Sequence, residues 1–166
     1  EVSNIRKTVK PVASTDNATE LLYVDFSKGA FELGGSSLAQ VLDKIGNNAP
    51  DVKDAAYFKN CFNTIQKLIE EGLIVAGHDV SAGGLITTLL EMTFANCEGG
   101  LNIDLSAFNN NDLISVAFSE QPAVVIQIND AKAKEILANN NIDFVVIGKP
   151  QDKREITLTK DNETYN

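Results

Sequence analysis

Residues 77–85 constrain the fold of this chain more than any other segment, because they join a strand-like segment to a helical pattern. Their sequence is Gly-His-Asp-Val-Ser-Ala-Gly-Gly-Leu; apolar residues 73–76 precede them, and residues 85–96 follow with helical spacing. A strand, a glycine-rich turn and a helix in this order leave unpaired backbone N–H groups at the helix start. Those groups and the helix dipole favour an anion. The segment therefore predicts a turn that is compatible with phosphate.

A second glycine-rich turn occupies residues 33–37 and reads Leu-Gly-Gly-Ser-Ser. We expect it to open a helix that runs to about residue 45, where Gly46 can adopt the left-handed conformation that ends helices. Two interpretations stay open for both turns: glycine lets a ligand approach the backbone, or it serves only a tight turn beside a helix cap. The candidate ligand-contacting residues are Gly34, Gly35, Ser36, Ser37, His78, Asp79, Ser81, Gly83 and Gly84.

Hydrophobic periodicity predicts the remaining elements. A helix is expected to start at Pro50 and Asp51 and to end at Gly72, with an apolar stripe of Ala55, Phe58, Phe62, Ile65 and Ile69. The helix that follows the second turn has one apolar face, made of Leu85, Leu89 and Met92. Strands are expected over residues 21–26, 101–105, 123–128, 144–147 and 155–159, and a helix over 131–138. Interspersed strands and helices with a strand pair at the end predict an α+β domain with a mixed sheet.

Length and composition predict one globular domain. The chain has 166 residues, 43% of them apolar, and no apolar run long enough to cross a bilayer. We expect residues 1–20 to form a linker or arm and residues 21–166 to form the domain. The two cysteines, Cys61 and Cys97, lack metal-ligand spacing, which favours reduced thiols in a soluble, cytoplasmic protein without a secretory signal. The net charge of −9 and the absence of a Lys/Arg cluster argue against nucleic acid as a partner.

The sequence assigns no catalytic residue and no metal site. His78 is the only histidine, so neither a zinc site nor a Ser/His/Asp triad can be argued. His78 and Asp79 are neighbours on an extended segment, and we expect them to point to opposite sides without pairing. Neither glycine-rich turn has the Walker or the Rossmann spacing. From its residues alone, the chain is thus predicted to be a soluble domain with two turns that are compatible with phosphate.

Both turns resemble one enzyme family. Residues 33–41, Leu-Gly-Gly-Ser-Ser-Leu-Ala-Gln-Val, and residues 78–85, together with Glu91-Met92 and Phe94-Ala95, are similar to large-type phosphoribosylformylglycinamidine synthase. They resemble its second domain of the aminoimidazole ribonucleotide synthetase C-terminal type. The likeness extends from the linker-like residues 5–9 through residues 21–29 to residues 123–128. Ala82 departs from the family pattern, since many relatives have an aspartate there.

The resemblance implies a layered, partly ferredoxin-like α+β fold and a ligase of purine biosynthesis. That enzyme converts formylglycinamide ribonucleotide, ATP and glutamine into formylglycinamidine ribonucleotide, ADP, phosphate and glutamate. ATP and Mg would be held mainly by N-terminal-type domains, and ammonia would come from a glutaminase domain. The partners implied are these other domains and a phosphorylated small molecule, with no nucleic acid and no membrane. The isolated chain is then expected to be inactive.

Two further interpretations remain. The domain could be a structural or auxiliary-cleft module of the same enzyme, with no substrate contact; Ala82 and the internal duplication of that family favour this alternative. The fold could instead serve a selenophosphate synthetase, a thiamine-phosphate kinase or a hydrogenase-maturation protein. The segment Leu-Gly-Gly-Ser-Ser-Leu-Ala-Gln argues against these three enzymes.

Overall fold

A seven-stranded mixed sheet forms the centre of the molecule. The computed structural model describes residues 4–96, 98–109 and 111–166. The strand order is β2-β4-β1-β5-β3-β6-β7; β3 and β6 run parallel, and the other described pairs are antiparallel. The predicted α+β domain with a mixed sheet is confirmed. The strands are β1 (Glu20–Asp25), β2 (Ala76–Val80), β3 (Gly100–Asp104), β4 (Ala123–Ile128), β5 (Phe144–Gln151), β6 (Ile156–Lys160) and β7 (Glu163–Tyr165).

Helices cover both faces of this sheet. A single 3-10 turn (Ile5–Lys7) precedes the helices α1 (Ser37–Val41), α2 (Ala55–Glu70), α3 (Gly84–Phe94), α4 (Leu113–Phe118) and α5 (Ala131–Asn139). Residues of α3 and α4 form one apolar core with the sheet, and residues of α2 and α5 form a second core on the opposite face. Strand β1 serves both cores because side chains alternate along a strand: Leu21 and Tyr23 enter the first, Leu22 and Val24 the second.

Several predicted elements are confirmed. Strands β1, β3, β4 and β6 lie close to their predicted positions, β5 begins as predicted but continues to Gln151, and Leu85, Leu89 and Met92 of α3 are buried. Helix α4 and strand β7 were not predicted, because each is short and neither has a clear periodic pattern. Cys61 is a buried free thiol, whereas Cys97 lies outside the described residues. Within the described part of the chain, no helix is long and apolar enough to cross a membrane.

Strand β2 lies further along the chain than predicted. The sequence pattern suggested a strand over residues 73–76 with His78 in the turn, but the strand is Ala76–Val80 and the turn contains only residues 81–83. Pairing with β4 decides the register, since Ala76 lies opposite Gln127 and Val80 opposite Ala123. Gly77 does not interrupt the strand; its N–H donates to the carbonyl of Lys10 at 3.0 Å.

Helix α1 is shorter than predicted. It ends at Val41 instead of residue 45, because Asp43 adopts a left-handed conformation with φ 55° and the Lys44 N–H donates to the Ala39 carbonyl at 2.7 Å. Gly46 also has a positive φ, of 77°, but it lies beyond the helix. Tertiary packing supplies most of the stability of a helix, and only Ala39 of this helix is buried.

Helix α2 begins later than predicted, and its core-facing side matches the predicted stripe only in part, since Ile65 is buried in the core and Phe58 and Ile69 are partly buried against it. Its start is set by Asp54, whose Oδ1 accepts hydrogen bonds from the N–H groups of Ala56 and Tyr57 at 2.9 and 3.0 Å, so Pro50 and Asp51 lie before it. The buried face contains Tyr57, Cys61, Thr64, Ile65 and Leu68. Of the predicted stripe only Ile65 is buried, and Phe62 is 52% exposed. The predicted end is confirmed, since Gly72 adopts φ 72° just after the helix.

The segment before β1 packs against the domain. The Ala13 N–H donates to the Met92 carbonyl at 2.8 Å, and the Ser14 N–H donates to Oε1 of Gln127 at 2.7 Å. Gln127 is fully buried on β4, and its Nε2 donates to the carbonyl of Ser14 and to Oγ1 of Thr19. Residues 13–19 are therefore anchored by a buried amide group.

Candidate functional site

The two glycine-rich turns meet at one carboxylate. Glu120 lies in the loop between α4 and β4, and its Oε1 accepts hydrogen bonds from the backbone N–H of Ser37 at 2.7 Å and of Gly83 at 2.8 Å. Ser37 is the first residue of α1, and Gly83 is the N-cap of α3. Glu120 was not among the predicted site residues, yet it joins the two segments that the sequence singled out.

The electrostatics of these two turns favour the charged form of Glu120. Burial alone would raise the pKa of this carboxyl, but the hydrogen bonds from the Gly83 and Ser37 N–H groups, and one from the Ser37 side chain, outweigh it. The net effect lowers the pKa of Glu120 below the ordinary value of 4.5. Helix starts favour negative charge, and here the protein's own carboxylate supplies that charge.

Four more amides at these turns, those of Gly34, Gly35, Ser36 and Gly84, also have acceptors inside the protein. Gly34 and Gly35 donate to the carbonyls of Asn48 and Ile45, both at 2.7 Å. The Ser36 N–H donates to the Leu33 carbonyl at 3.2 Å, and the Gly84 N–H to the Ser81 carbonyl at 2.9 Å. With Ser37 and Gly83, every glycine and serine of residues 34–37 and 83–84 is satisfied. The expectation of bare amides at these positions is wrong, because the loops fold back on themselves and Glu120 fills the gap between them.

Local packing explains why two of these residues are suited to their positions. Oγ of Ser36 accepts from the Ala39 N–H at 3.2 Å and donates to the Leu33 carbonyl at 2.8 Å, which is a helix-capping role. Gly84 has φ 74°, and a Cβ there would lie 2.7 Å from the Ala117 carbonyl oxygen and from backbone atoms of Phe118. This glycine therefore lets α3 start directly against the end of α4.

His78 lies in β2 and contacts two carboxylates. Its Nδ1 is 2.8 Å from the carbonyl oxygen of Asp79 and 3.5 Å from Oδ1 of the same residue. Its Nε2 is 3.5 Å from Oε2 of Glu91 on α3. The expectation that His78 and Asp79 do not pair is therefore wrong, because Nδ1 of the imidazole lies near both the carbonyl and the carboxylate of Asp79. Ser81 and Ala82 follow as exposed residues of the turn.

The buried side-chain amide of Gln121, the residue after Glu120, anchors the same loop to the end of β1. Nε2 of Gln121 donates to Oδ1 of Asp25 at 2.8 Å, and the same oxygen accepts from the N–H and the hydroxyl of Ser27. Gln121 is 1% exposed and borders a cavity of about 190 Å³ beside Tyr23, Phe31 and Phe108. Hydrophobic periodicity could not reveal this loop; the only signal was a Ser-Glu-Gln-Pro sequence between a helix and a strand.

In residues 4–96, 98–109 and 111–166, no three His, Cys, Asp or Glu side chains are grouped so that they could hold a metal ion. Oε1 of Glu120 is already occupied by two N–H groups. The arrangement can hold two helix starts in fixed relative positions, and it offers His78, Asp79 and Ser81 as polar groups near one of them.

Solved structures of other proteins share this fold. The structure titled T. maritima PurL complexed with FGAR superposes with a TM-score of 0.74 at 14% identity, covering 96% of this chain and 28% of that one. PurLQS from Thermotoga maritima matches with a TM-score of 0.72 at 18% identity, over 98% and 27%. E. coli HypE, a hydrogenase maturation protein, matches with a TM-score of 0.60 at 17% identity, over 95% and 51%.

Sequence comparison identifies the family. The family model described as AIR synthase related protein, C-terminal domain, matches residues 27–161, and the chain belongs to this family. A relative in Arabidopsis thaliana, named probable phosphoribosylformylglycinamidine synthase, chloroplastic/mitochondrial, is 40% identical over 168 residues. That alignment covers 98% of this chain, and the chain spans 12% of the length of the relative.

Proposed function

We propose that the chain is one domain of a phosphoribosylformylglycinamidine synthase, the ATP- and glutamine-dependent ligase of purine biosynthesis. The observation that carries this proposal is the 40% identity to the Arabidopsis synthase over 98% of the chain. The hydrogenase maturation protein shares the fold at 17% identity, so likeness to it supports only the architecture. The complete ligase makes formylglycinamidine ribonucleotide from formylglycinamide ribonucleotide.

The chain's own residues supply positioning in this proposal, and other domains supply the reacting groups. ATP would activate the amide oxygen of the substrate, and the N-terminal-type domains would hold most of the site for ATP and its Mg. The glutaminase that releases ammonia would also lie in another domain. A location in the cytoplasm stays a prediction, because the Arabidopsis relative is named as chloroplastic or mitochondrial.

Substrate contact at the two turns is the first candidate role. The N–H groups of residues 34–37, Gly83 and Gly84 are already paired, so at these positions the phosphorylated substrate would contact side chains. His78, Asp79 and Ser81 are half-buried or exposed and therefore accessible. Glu120 would keep the two helix starts aligned beneath the ligand, as a positioning residue.

A structural or auxiliary-cleft role is the second candidate. The Glu120 carboxylate favours it, because an internal anion already neutralises the two helix starts where a phosphate was expected. In this case the domain would shape and support a neighbouring cleft without touching the substrate.

The function is tested by assaying the complete polypeptide that carries this chain. We expect it to convert formylglycinamide ribonucleotide to formylglycinamidine ribonucleotide with ATP and glutamine, as followed by mass spectrometry. We expect the 166-residue chain alone to be inactive. A complete polypeptide that folds but consumes neither ATP nor this substrate would refute the proposal.

A double variant separates the two candidate roles. In the complete polypeptide, His78→Ala with Ser81→Ala should raise KM for the ribonucleotide at least tenfold if these side chains contact it. If KM and kcat are both unchanged, the substrate-contact role is wrong and the structural or auxiliary-cleft role is supported. Thr93→Ala, at a partly buried position of α3, is the matched control and should change neither constant.

A further inference from the structure

Three aromatic rings that the proposed function does not use line the cavity beside Gln121. Tyr23, Phe31 and Phe108 border this space of about 190 Å³, the aromatic cavity. The ring centroid of Phe108 lies 5.3 Å from that of Tyr23 and 5.4 Å from that of Phe31, so the three rings pack as one cluster. The face of an aromatic ring carries negative potential and attracts cations. This part of the wall is therefore suited to a positive charge.

Two carboxylates, those of Asp25 and Asp143, line the same cavity. Oδ1 of Asp25 accepts three hydrogen bonds, from the N–H and the hydroxyl of Ser27 and from Nε2 of Gln121. All three end on Oδ1, so the second oxygen, Oδ2, stays available to a ligand. Burial, and after it the charge of Asp25, raises the pKa of Tyr23 above its ordinary value of 10. The phenol near this carboxylate therefore stays neutral.

The cations of the protein lie outside the aromatic cavity. Within the described part of the chain, no Lys or Arg side chain lines it. Lys28 is close by, but its Nζ lies 3.9 Å from Oδ2 of Asp143 and 4.2 Å from the centre of the Tyr57 ring. The side chains of this ion pair are 45% and 72% exposed, so the pair is weak. Lys28 therefore offsets Asp143 at most, and Asp25 remains as the negative charge of the cavity.

Gln121 adds an acceptor that has no partner. Its Oε1 is buried and makes no hydrogen bond with any of the described residues. The orientation of the amide is fixed, because Nε2 must face the carboxylate of Asp25 to donate to it. Buried polar atoms are rarely left unpaired, since an unpaired acceptor destabilises the fold. The unpaired oxygens at the cavity therefore favour a ligand that donates hydrogen bonds.

We infer that the aromatic cavity binds a small organic ammonium ion. Its N–H groups donate to Asp25, and its carbon atoms pack against the three rings. The carboxylates of the wall exclude an anion, and a purely apolar molecule would leave the acceptors unpaired. The volume lies below the roughly 300–1,000 Å³ of sites for drug-sized ligands, which limits the ion to a few carbon atoms. The inference goes beyond the proposed function and does not rest on it, because the whole cavity lies within this chain.

An NMR titration of the 166-residue chain tests the inference. Propylammonium chloride is the probe, and the ring signals of Tyr23, Phe31 and Phe108 are followed at constant ionic strength. We expect saturable shifts with a Kd of about 1 mM, which a ligand of about four heavy atoms can reach. Propan-1-ol lacks the charge and ammonium chloride lacks the carbon atoms, so each should bind at least tenfold more weakly. Sodium propionate should not bind.

Two variants identify the groups that hold the ion. Asp25→Asn keeps an oxygen for the bonds from Ser27 and Gln121 but removes the charge, so it should weaken binding at least fivefold. Phe31→Leu keeps an apolar side chain but removes one ring, and it should weaken binding at least threefold. Asp43→Asn, at an exposed position, is the matched control and should bind as the wild type does. Backbone amide spectra show whether each variant is folded.

Three results would overturn the inference. They are shifts that do not saturate by about 20 mM propylammonium, equal binding of propan-1-ol or ammonium, and equal affinity of Asp25→Asn and Asp43→Asn for the probe. The first two are measured in the unaltered chain, so the titration decides even if a variant does not fold.

Discussion

At the scale of single residues, Glu120 is the group on which the candidate site depends. It places one ionised oxygen between the N–H groups of Ser37 and Gly83, which belong to segments almost fifty residues apart. Hydrogen bonds from N–H groups to a carboxylate are stronger than those between neutral groups. Glu120 therefore does locally what a bound phosphate was expected to do.

Glu120 makes the stability of the chain depend on pH. Its pKa is lower in the folded state than in the unfolded chain, so its contribution is fully present above about pH 4.5 and is lost as pH falls through the folded pKa. In Glu120→Gln, the unfolding free energy should therefore decrease less steeply than in the wild type as pH falls below 4.5. Denaturant unfolding at several pH values measures this. Glu135→Gln, at an exposed position of α5, is the control and should retain the wild-type slope.

Glu120→Ala should cost about 1–3 kcal/mol of unfolding free energy at pH 7, because it leaves two partly buried N–H groups without their acceptor. The loss should be larger than that of Glu120→Gln, which keeps an oxygen at the same place. An alanine variant as stable as the wild type would show that the two hydrogen bonds contribute nothing.

Gly84 should tolerate substitution worse than Gly72. Both have φ near 73°, but a Cβ on Gly72 meets nothing within 4 Å, whereas one on Gly84 meets backbone atoms at 2.7 Å. Gly72→Ala should cost about 1–2 kcal/mol for the left-handed conformation alone. Gly84→Ala should cost at least twice as much in the same denaturant measurement. Equal costs would mean that α3 and α4 can separate freely.

At the scale of elements, α2 provides the sharpest contrast between pattern and structure. Its sequence contains two overlapping apolar stripes, and the one that faces the core includes Leu68 but not Phe62. Leu68→Ala should therefore cost about 2–5 kcal/mol, as buried leucines do, and Phe62→Ala less than about 1 kcal/mol. Thermal or denaturant unfolding measures both. A larger loss of stability for Phe62→Ala than for Leu68→Ala would show that the side of α2 with Phe62 faces the core, as periodicity predicted.

Local pattern predicted the elements better than it predicted their ends. The positions of β3 and β6 and the buried face of α3 follow from alternation and helical spacing, which reflect burial. The start of α2 depends on Asp54 as its cap, and the end of α1 on Asp43 in a left-handed conformation. The register of β2 depends on pairing with β4, which no local window contains.

In the candidate site, too, local features could be predicted from the sequence and distant contacts could not. The two turns could be found from their glycines, and the structure brings them together. Glu120 and Gln121 could not be found, because their partners, Ser37, Gly83 and Asp25, lie far away in the sequence. Sequence pattern also could not show that the turn amides are paired, since their acceptors come from the folded loops.

At the scale of the whole molecule, the segment before β1 is packed as part of the domain. Gln127→Leu should release it, because the Ser14 N–H and carbonyl lose their buried partner. We expect limited proteolysis to cut within residues 4–16 at least ten times faster in this variant. Asn63→Leu, at an exposed position of α2, should leave the rate unchanged. Equal rates in all three proteins would show that the amide group does not hold the segment.

For the whole molecule, the proposal that the chain is one domain of the synthase rests on sequence identity. The link between the two glycine-rich turns rests on the contacts of Glu120. Each has its own test, so failure of one leaves the other measurable.

The most direct measurement is an NMR titration of the Ser37 and Gly83 backbone amide protons in the 166-residue chain. If Glu120 binds both, the two signals should shift together with one midpoint below pH 4.5 and lose that shift in Glu120→Gln. Adding inorganic phosphate at pH 7 should leave both unmoved. Separate midpoints would show that Glu120 does not join the two turns. A phosphate-induced shift of both amides in the unaltered chain would show that the turns bind an external anion instead.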